Sequence, residues 1–75
     1  MERYKILGAD SGVVGYEIGS NFIKVWFENS SKVYVYDYAS AGSDNIEHMK
    51  TLAKKGFGLN AYISRNVKKL YSHID

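Results

Sequence analysis

The chain has 75 residues, 45% apolar and 24% charged, with a net charge of +2 and no cysteine. These proportions exclude a disordered chain, and the missing cysteines exclude a disulfide framework or a thiolate metal site. This length fits one domain with one core that buries only about 60% of its unfolded surface, so the seven tyrosines, three phenylalanines and lone tryptophan carry much of the packing.

Met1–Leu7 is interrupted by Glu2, Arg3 and Lys5 and does not form the apolar stretch of a secretory leader. No run approaches the roughly 20 apolar residues of a spanning helix, so a cytoplasmic domain with no membrane partner is expected. Residues 1–12 form either a loop or a short extra strand from Tyr4 to Leu7. Val13 to Ile18 then alternates, with Val14, Tyr16 and Ile18 on one face. After the turn residues Gly19-Ser20-Asn21, a second run places Ile23, Val25 and Phe27 on one side and Phe22, Lys24, Trp26 and Glu28 on the other. Asn29-Ser30-Ser31 turns the chain again, and Lys32 to Tyr38 separates Tyr34, Tyr36 and Tyr38 from Val33, Val35 and Asp37. Short β-branched and aromatic runs joined by brief polar turns predict an antiparallel meander, because parallel strands need much longer crossovers.

The period changes after Ala39. Ser43 or Asp44 is placed to cap a helix, with Glu47 completing a capping box with Asp44, and Ile46, Met49, Leu52 and Ala53 mark its apolar face. Lys54 and Lys55 suit its last turn and Gly56 its C′ position. Beyond Phe57-Gly58, Leu59, Tyr62, Ile63, Asn66, Val67 and Leu70 recur at helical spacing, opposite Arg65, Lys68 and Lys69. The tail, residues 72–75, is expected to fray. The fold class is α+β: a three-stranded, or with the N-terminal segment four-stranded, antiparallel meander followed by two α-helices packed on one sheet face. The stripe Tyr34, Tyr36 and Tyr38 has two readings, a sheet platform that stacks nucleobases or a core beneath the helices. With the tyrosine face beneath two amphipathic helices, Tyr34 and Tyr36 are read as core and Tyr38, at the strand end, as partly exposed. The far face, with Phe22, Trp26, Val33 and Val35, is then apolar and needs cover, from Tyr4, Ile6 and Leu7 or from a partner.

Charge is uneven. Through Gly42 there are four basic and five acidic residues; from Ser43 onward there are six basic and three acidic. This suits either an anionic partner or a solvated helix face. His48 and His73 lack a third ligand at metal spacing, and no nucleophile stands with a base and an orienting group, so neither a metal, a cofactor nor an enzymatic activity is expected. Glu17 and Glu28 could face each other across strands, which on a sheet edge reads as solvation. Lys55-Gly56-Phe57-Gly58-Leu59-Asn60-Ala61-Tyr62 matches most of the RNA-recognition-motif octamer, but that octamer belongs on a strand and here it straddles a helix end. A phosphate seat on the free N–H groups after Gly56 and Gly58, beside Lys54, Lys55 and Asn60, is the reading that survives; a simple corner between helices is the other.

From about Val14 to Ile63 the chain resembles the KTSC domain, a module found at the C-terminus of some lysyl-tRNA synthetases and as a stand-alone bacterial protein. The resemblance rests on Val14-Gly15-Tyr16, Ile23-x-Val25-x-Phe27, Tyr34-x-Tyr36, and Gly56 followed by Asn60-x-x-Ile63. The family's valine-proline after the tyrosine pair is replaced by Ala39-Ser40, and Val35 stands where a polar residue is usual. The resemblance implies a domain of unknown function for which RNA binding is suspected, and it implies no reaction and no metal. Two functions are therefore carried forward. One is a nucleic-acid-binding module using Lys54, Lys55, Asn60, Arg65, Lys68 and Lys69. The other is a protein-interaction or homodimer module using Phe22, Trp26, Val33 and Val35.

Overall fold

A computed structural model of the protein describes residues 2–3, 12–28 and 30–75. Strands β1 (Glu2–Arg3), β2 (Val13–Ile18), β3 (Phe22–Phe27) and β4 (Val33–Asp37) are followed by helices α1 (Tyr38–Ala41), α2 (Ser43–Lys55) and α3 (Leu59–Tyr62). A π-helical turn (Ile63–Val67) continues α3, and strand β5 (His73–Ile74) follows it. The five strands lie in sequence order and every neighbouring pair is antiparallel. The expected α+β meander with helices against the sheet is therefore present, extended by a strand at each edge. The expected strand from Tyr4 to Leu7 and its cover of the far face lie outside the described residues.

The register of β3 with β4 pairs Ile23 with Tyr36 and Val25 with Tyr34, which puts the tyrosine face and the β3 apolar face on the same side. That side meets Ile46, Met49 and Ala53 of α2 and Leu59, Ile63 and Val67 beyond it in one buried cluster. Tyr36 is only 1% exposed at its centre. Full burial of each such aliphatic or aromatic group contributes about 1.5–3 kcal/mol.

Four local expectations are corrected. First, β2 carries a bulge between Val13 and Gly15. The extra residue reverses the alternation, so Val13 is fully buried and Val14 is 39% exposed. Glu17 stands opposite Lys24 rather than near Glu28. Second, the helical region begins at Tyr38, with Asp37 as its N-cap: Ser40 N–H donates to the Asp37 carboxylate while Asp37 N–H donates to the Ser40 hydroxyl. Gly42, at φ 89°, separates α1 from α2, and α2 has no side-chain cap at Ser43 or Asp44. Third, the second helix is a single α-turn that widens into the π-turn. In a regular α-helix with about 3.6 residues per turn, Leu59, Ile63 and Val67 would drift around the axis; the wider turn keeps all three buried. The Asn66 side-chain amide donates to Tyr62 O at 3.2 Å, supplying the carbonyl that α-geometry would pair with the Asn66 backbone. The helix stops soon afterwards, leaving Leu70 exposed.

Fourth, the tail is not frayed. Ser72 N–H donates to Val35 O at 2.6 Å and Asp75 N–H to Val33 O at 2.8 Å, adding β5 to the edge of β4. The expected C′ glycine holds: Gly56 adopts φ 75° and its N–H donates to Leu52 O and Ala53 O. No helix of the described residues is long and apolar enough to cross a membrane.

Candidate nucleic-acid interface

Two side-chain networks fix the helices on the sheet. Lys50, whose side chain is 12% exposed, donates to Glu47 at 2.8 Å and to Ser20 O at 3.1 Å in the β2–β3 turn. The Tyr38 hydroxyl donates to the same Glu47 carboxylate at 2.6 Å. These two donors hold the Glu47 carboxyl below its usual range, Lys50 first and Tyr38 second. In the first turn of α2, the Tyr62 hydroxyl donates to Asn45 Oδ1, and Asn45 in turn donates to Ala41 O at 2.7 Å, tying the helices to one another. The His48 ring lies 4.6 Å from that of Tyr62.

With the helices so placed, the π-turn and the end of the sheet leave an open cleft of about 360 Å³. Its floor is aromatic: Phe27, Tyr34 and Tyr36 from the sheet, and Tyr71 from the segment leading into β5. The rings meet edge to face in a continuous chain, with centroids 5.3 Å apart for Phe27 and Tyr34, 5.2 Å for Tyr34 and Tyr71, and 6.3 Å for Tyr71 and Tyr36. Ser30 and Ser64 contribute hydroxyls at the walls, and Lys68 and Lys69 border the cleft with ammonium groups that form no ion pair among the described residues. Burial, and then the neighbouring Tyr34 and Tyr71, push the Tyr36 hydroxyl up to about pKa 12, and no carboxylate lines the cleft among the described residues.

The expected nucleic-acid set divides. Lys68, Lys69 and Asn60 come together at the cleft. Lys54, Lys55 and Arg65 are exposed on α2 and the π-turn and do not line it. Asn60 is half-buried and packs against Gly12, where an added Cβ would lie 2.6 Å from its amide carbon. At the expected phosphate seat, the Gly56 N–H is donated to the last turn of α2, and α3 starts at Leu59 behind Gly58 with no side-chain cap. Of the family-motif residues, Tyr36, Gly56 and Ile63 are buried while Tyr16, Tyr34 and Asn60 are half-buried against the core or cleft. Tyr71, Phe27, Ser30 and Ser64 were not among the expected site residues. Tyr71 extends the four-residue series Leu59, Ile63, Val67, and that period was the available signal.

The far sheet face is less open than its sequence suggests. Val35 is 4% exposed, flanked by Lys24 and His73 in the neighbouring strands. Asp75 lies 3.4 Å from Lys24 Nζ and 3.2 Å from His73 Nε2, drawing charged groups along this edge. Phe22, Trp26 and Val33 are half-buried, with the Phe22 ring against Gly19 and Trp26 opposite the side-chain-free Gly15. Val35 and Phe22 line a second, smaller cleft on this face with Lys24, Asp37 and His73, the last supplied by β5, which the sequence did not foretell.

The chain matches no family model, no curated protein and no solved structure.

Proposed function

We propose that this is a small non-catalytic module that binds nucleic acid, RNA in the first instance, through its basic helical half. The reading rests on one observation: Lys68 and Lys69, free of ion pairs among the described residues, border a neutral aromatic cleft. Such cations attract phosphate and release its counterions, giving affinity that falls with salt by a logarithmic slope of roughly −0.7 per phosphate contacted on a single strand. Lys54, Lys55 and Arg65 add to the field without contacting the cleft. The resemblance to the KTSC domain points the same way, and so does the surplus of basic residues after Ser43.

The test is a titration of a short fluorescently labelled RNA followed by anisotropy. Binding should weaken steeply with salt, and Lys68→Glu with Lys69→Glu should abolish most of it while leaving the thermal midpoint nearly unchanged. Absence of binding at about 50 mM salt would overturn the proposal.

A further inference from the structure

We infer that the cleft between the π-turn and the end of the sheet is a seat for one unpaired nucleotide, its base against the aromatic floor and its phosphate between Lys68 and Lys69. This rests on the nucleic-acid reading above and specifies what that reading leaves open: the form of the strand and the place where a base enters.

Size comes first. About 360 Å³ is at the lower end of the range of about 300–1,000 Å³ for small-ligand sites. It accommodates one planar ring with its sugar and not a run of stacked bases, and a paired base inside a duplex cannot enter it. Chemistry comes second. Phe27, Tyr34 and Tyr71 are each half-buried, so their rings pack on the core with one side and face the cleft with the other. They meet one another edge to face, which leaves ring surface for an added π-system. Ser30 and Ser64 also line the cleft; the Ser30 hydroxyl accepts from Lys32 N–H at 3.2 Å, and hydroxyls of this kind suit the polar edge of a base. Charge comes third. The floor is built of aromatic rings with no carboxylate among its described lining residues, while the cations stand at the border, the distribution a nucleotide itself presents in reverse.

Ser64 offers the decisive variant, because it is exposed, lines the cleft and contributes nothing to the buried cluster. Ser64→Leu fills the cleft and leaves both lysines in place. The wild-type protein should bind a single-stranded RNA octamer at least tenfold more tightly than the matching duplex, and Ser64→Leu should reduce that ratio to near one while retaining salt-dependent binding. Amide shifts on adding an adenosine or uridine monophosphate should cluster at Ser30, Ser64 and Tyr71. A wild-type protein that binds duplex and single strand equally, or shifts that avoid the cleft, would overturn the inference and leave the charge-based reading standing. A protein that binds no RNA at low salt would overturn both.

Discussion

Asp37 and Ser40 cap each other: the Ser40 N–H lies 2.8 Å from Asp37 Oδ1, and the Asp37 N–H lies 3.1 Å from Ser40 Oγ. The pair ends β4 and starts the helical half within one residue. The Ser40 N–H above all, and then the Ser72 and Ser40 hydroxyls, hold the Asp37 carboxyl below its ordinary value of 3.8. A carboxyl depressed in the folded state stabilises the fold fully above the unfolded value and loses that contribution as pH falls through the folded one. Asp37→Ala should therefore lower the thermal midpoint by a few degrees at pH 7, on the order expected for a lost cap, and flatten its decline below about pH 4. Asp37→Asn should keep most of the cap at pH 7 and show the same flattened acid limb. An unchanged midpoint in Asp37→Ala would refute the cap's role.

The alkaline limb belongs to Tyr36. Its pKa rises from 10.0 to about 12 on folding, so the neutral hydroxyl is favoured in the folded state. Its contribution is complete below pH 10 and disappears between about pH 10 and 12, amounting to roughly 2–3 kcal/mol. Urea denaturation of Tyr36→Phe against the parent should converge with it at neutral pH and diverge above pH 10, with the variant the more stable there.

The bulge in β2 gives adjacent valines opposite fates. Val13→Ala should cost roughly 2 kcal/mol, by removing methyl groups from a fully buried site. Val14→Ala, at an exposed position, should stay within about 0.5 kcal/mol of the parent. Equal costs in chemical denaturation would mean that the strand pairs without the bulge.

Gly12 and Asn60 are coupled by contact. Gly12→Ala brings a methyl group within 2.6 Å of the Asn60 amide and should destabilise by about 1–3 kcal/mol. Asn60→Ala removes the obstacle, so the double variant should recover part of the loss, with a coupling of about 0.5–3 kcal/mol in a double-mutant cycle. Additive costs would show that the two do not touch.

Removal of residues 72–75 strips β5 from β4 and opens the hydrogen-bonding groups of Val33 and Val35 to solvent. The shortened chain should melt earlier and associate as its concentration rises, since an uncovered strand edge pairs with its own copies. Sedimentation analysis showing a monomer with the parent's midpoint would contradict this role for β5.

The central strands were legible because Ile23, Val25 and Phe27, and then Tyr34 and Tyr36, alternate without interruption, and Gly56 punctuates α2 as a left-handed C′ residue should. Where sequence reasoning missed, a local rule was overruled. The bulge at Val13–Gly15 shifts an alternating strand by one residue without any change in residue type. Asp37 ends a strand by pattern and starts a helix by hydrogen bonding, so the cap was sought at Ser43 and Asp44. β5 has two residues, too few for any period. The basic residues of the site were visible by type; Tyr71 was marked only by its place in the four-residue series after Leu59, Ile63 and Val67, and its contact with Tyr34 comes from the tertiary arrangement.

Followed as a ribbon, the sheet runs from its first strand to its last in chain order, and the helices of the described residues are inserted between two adjacent strands, β4 and β5. The helical half is thus an enlarged hairpin loop, whose closure cost rises only with the logarithm of its length. Lengthening it is cheap; letting it unravel is not. A strand of two residues cannot hold its register at the end of a floppy tether, so each opening of the helices also releases the edge of the sheet. The helical insert and the edge strand it carries thereby share one stability.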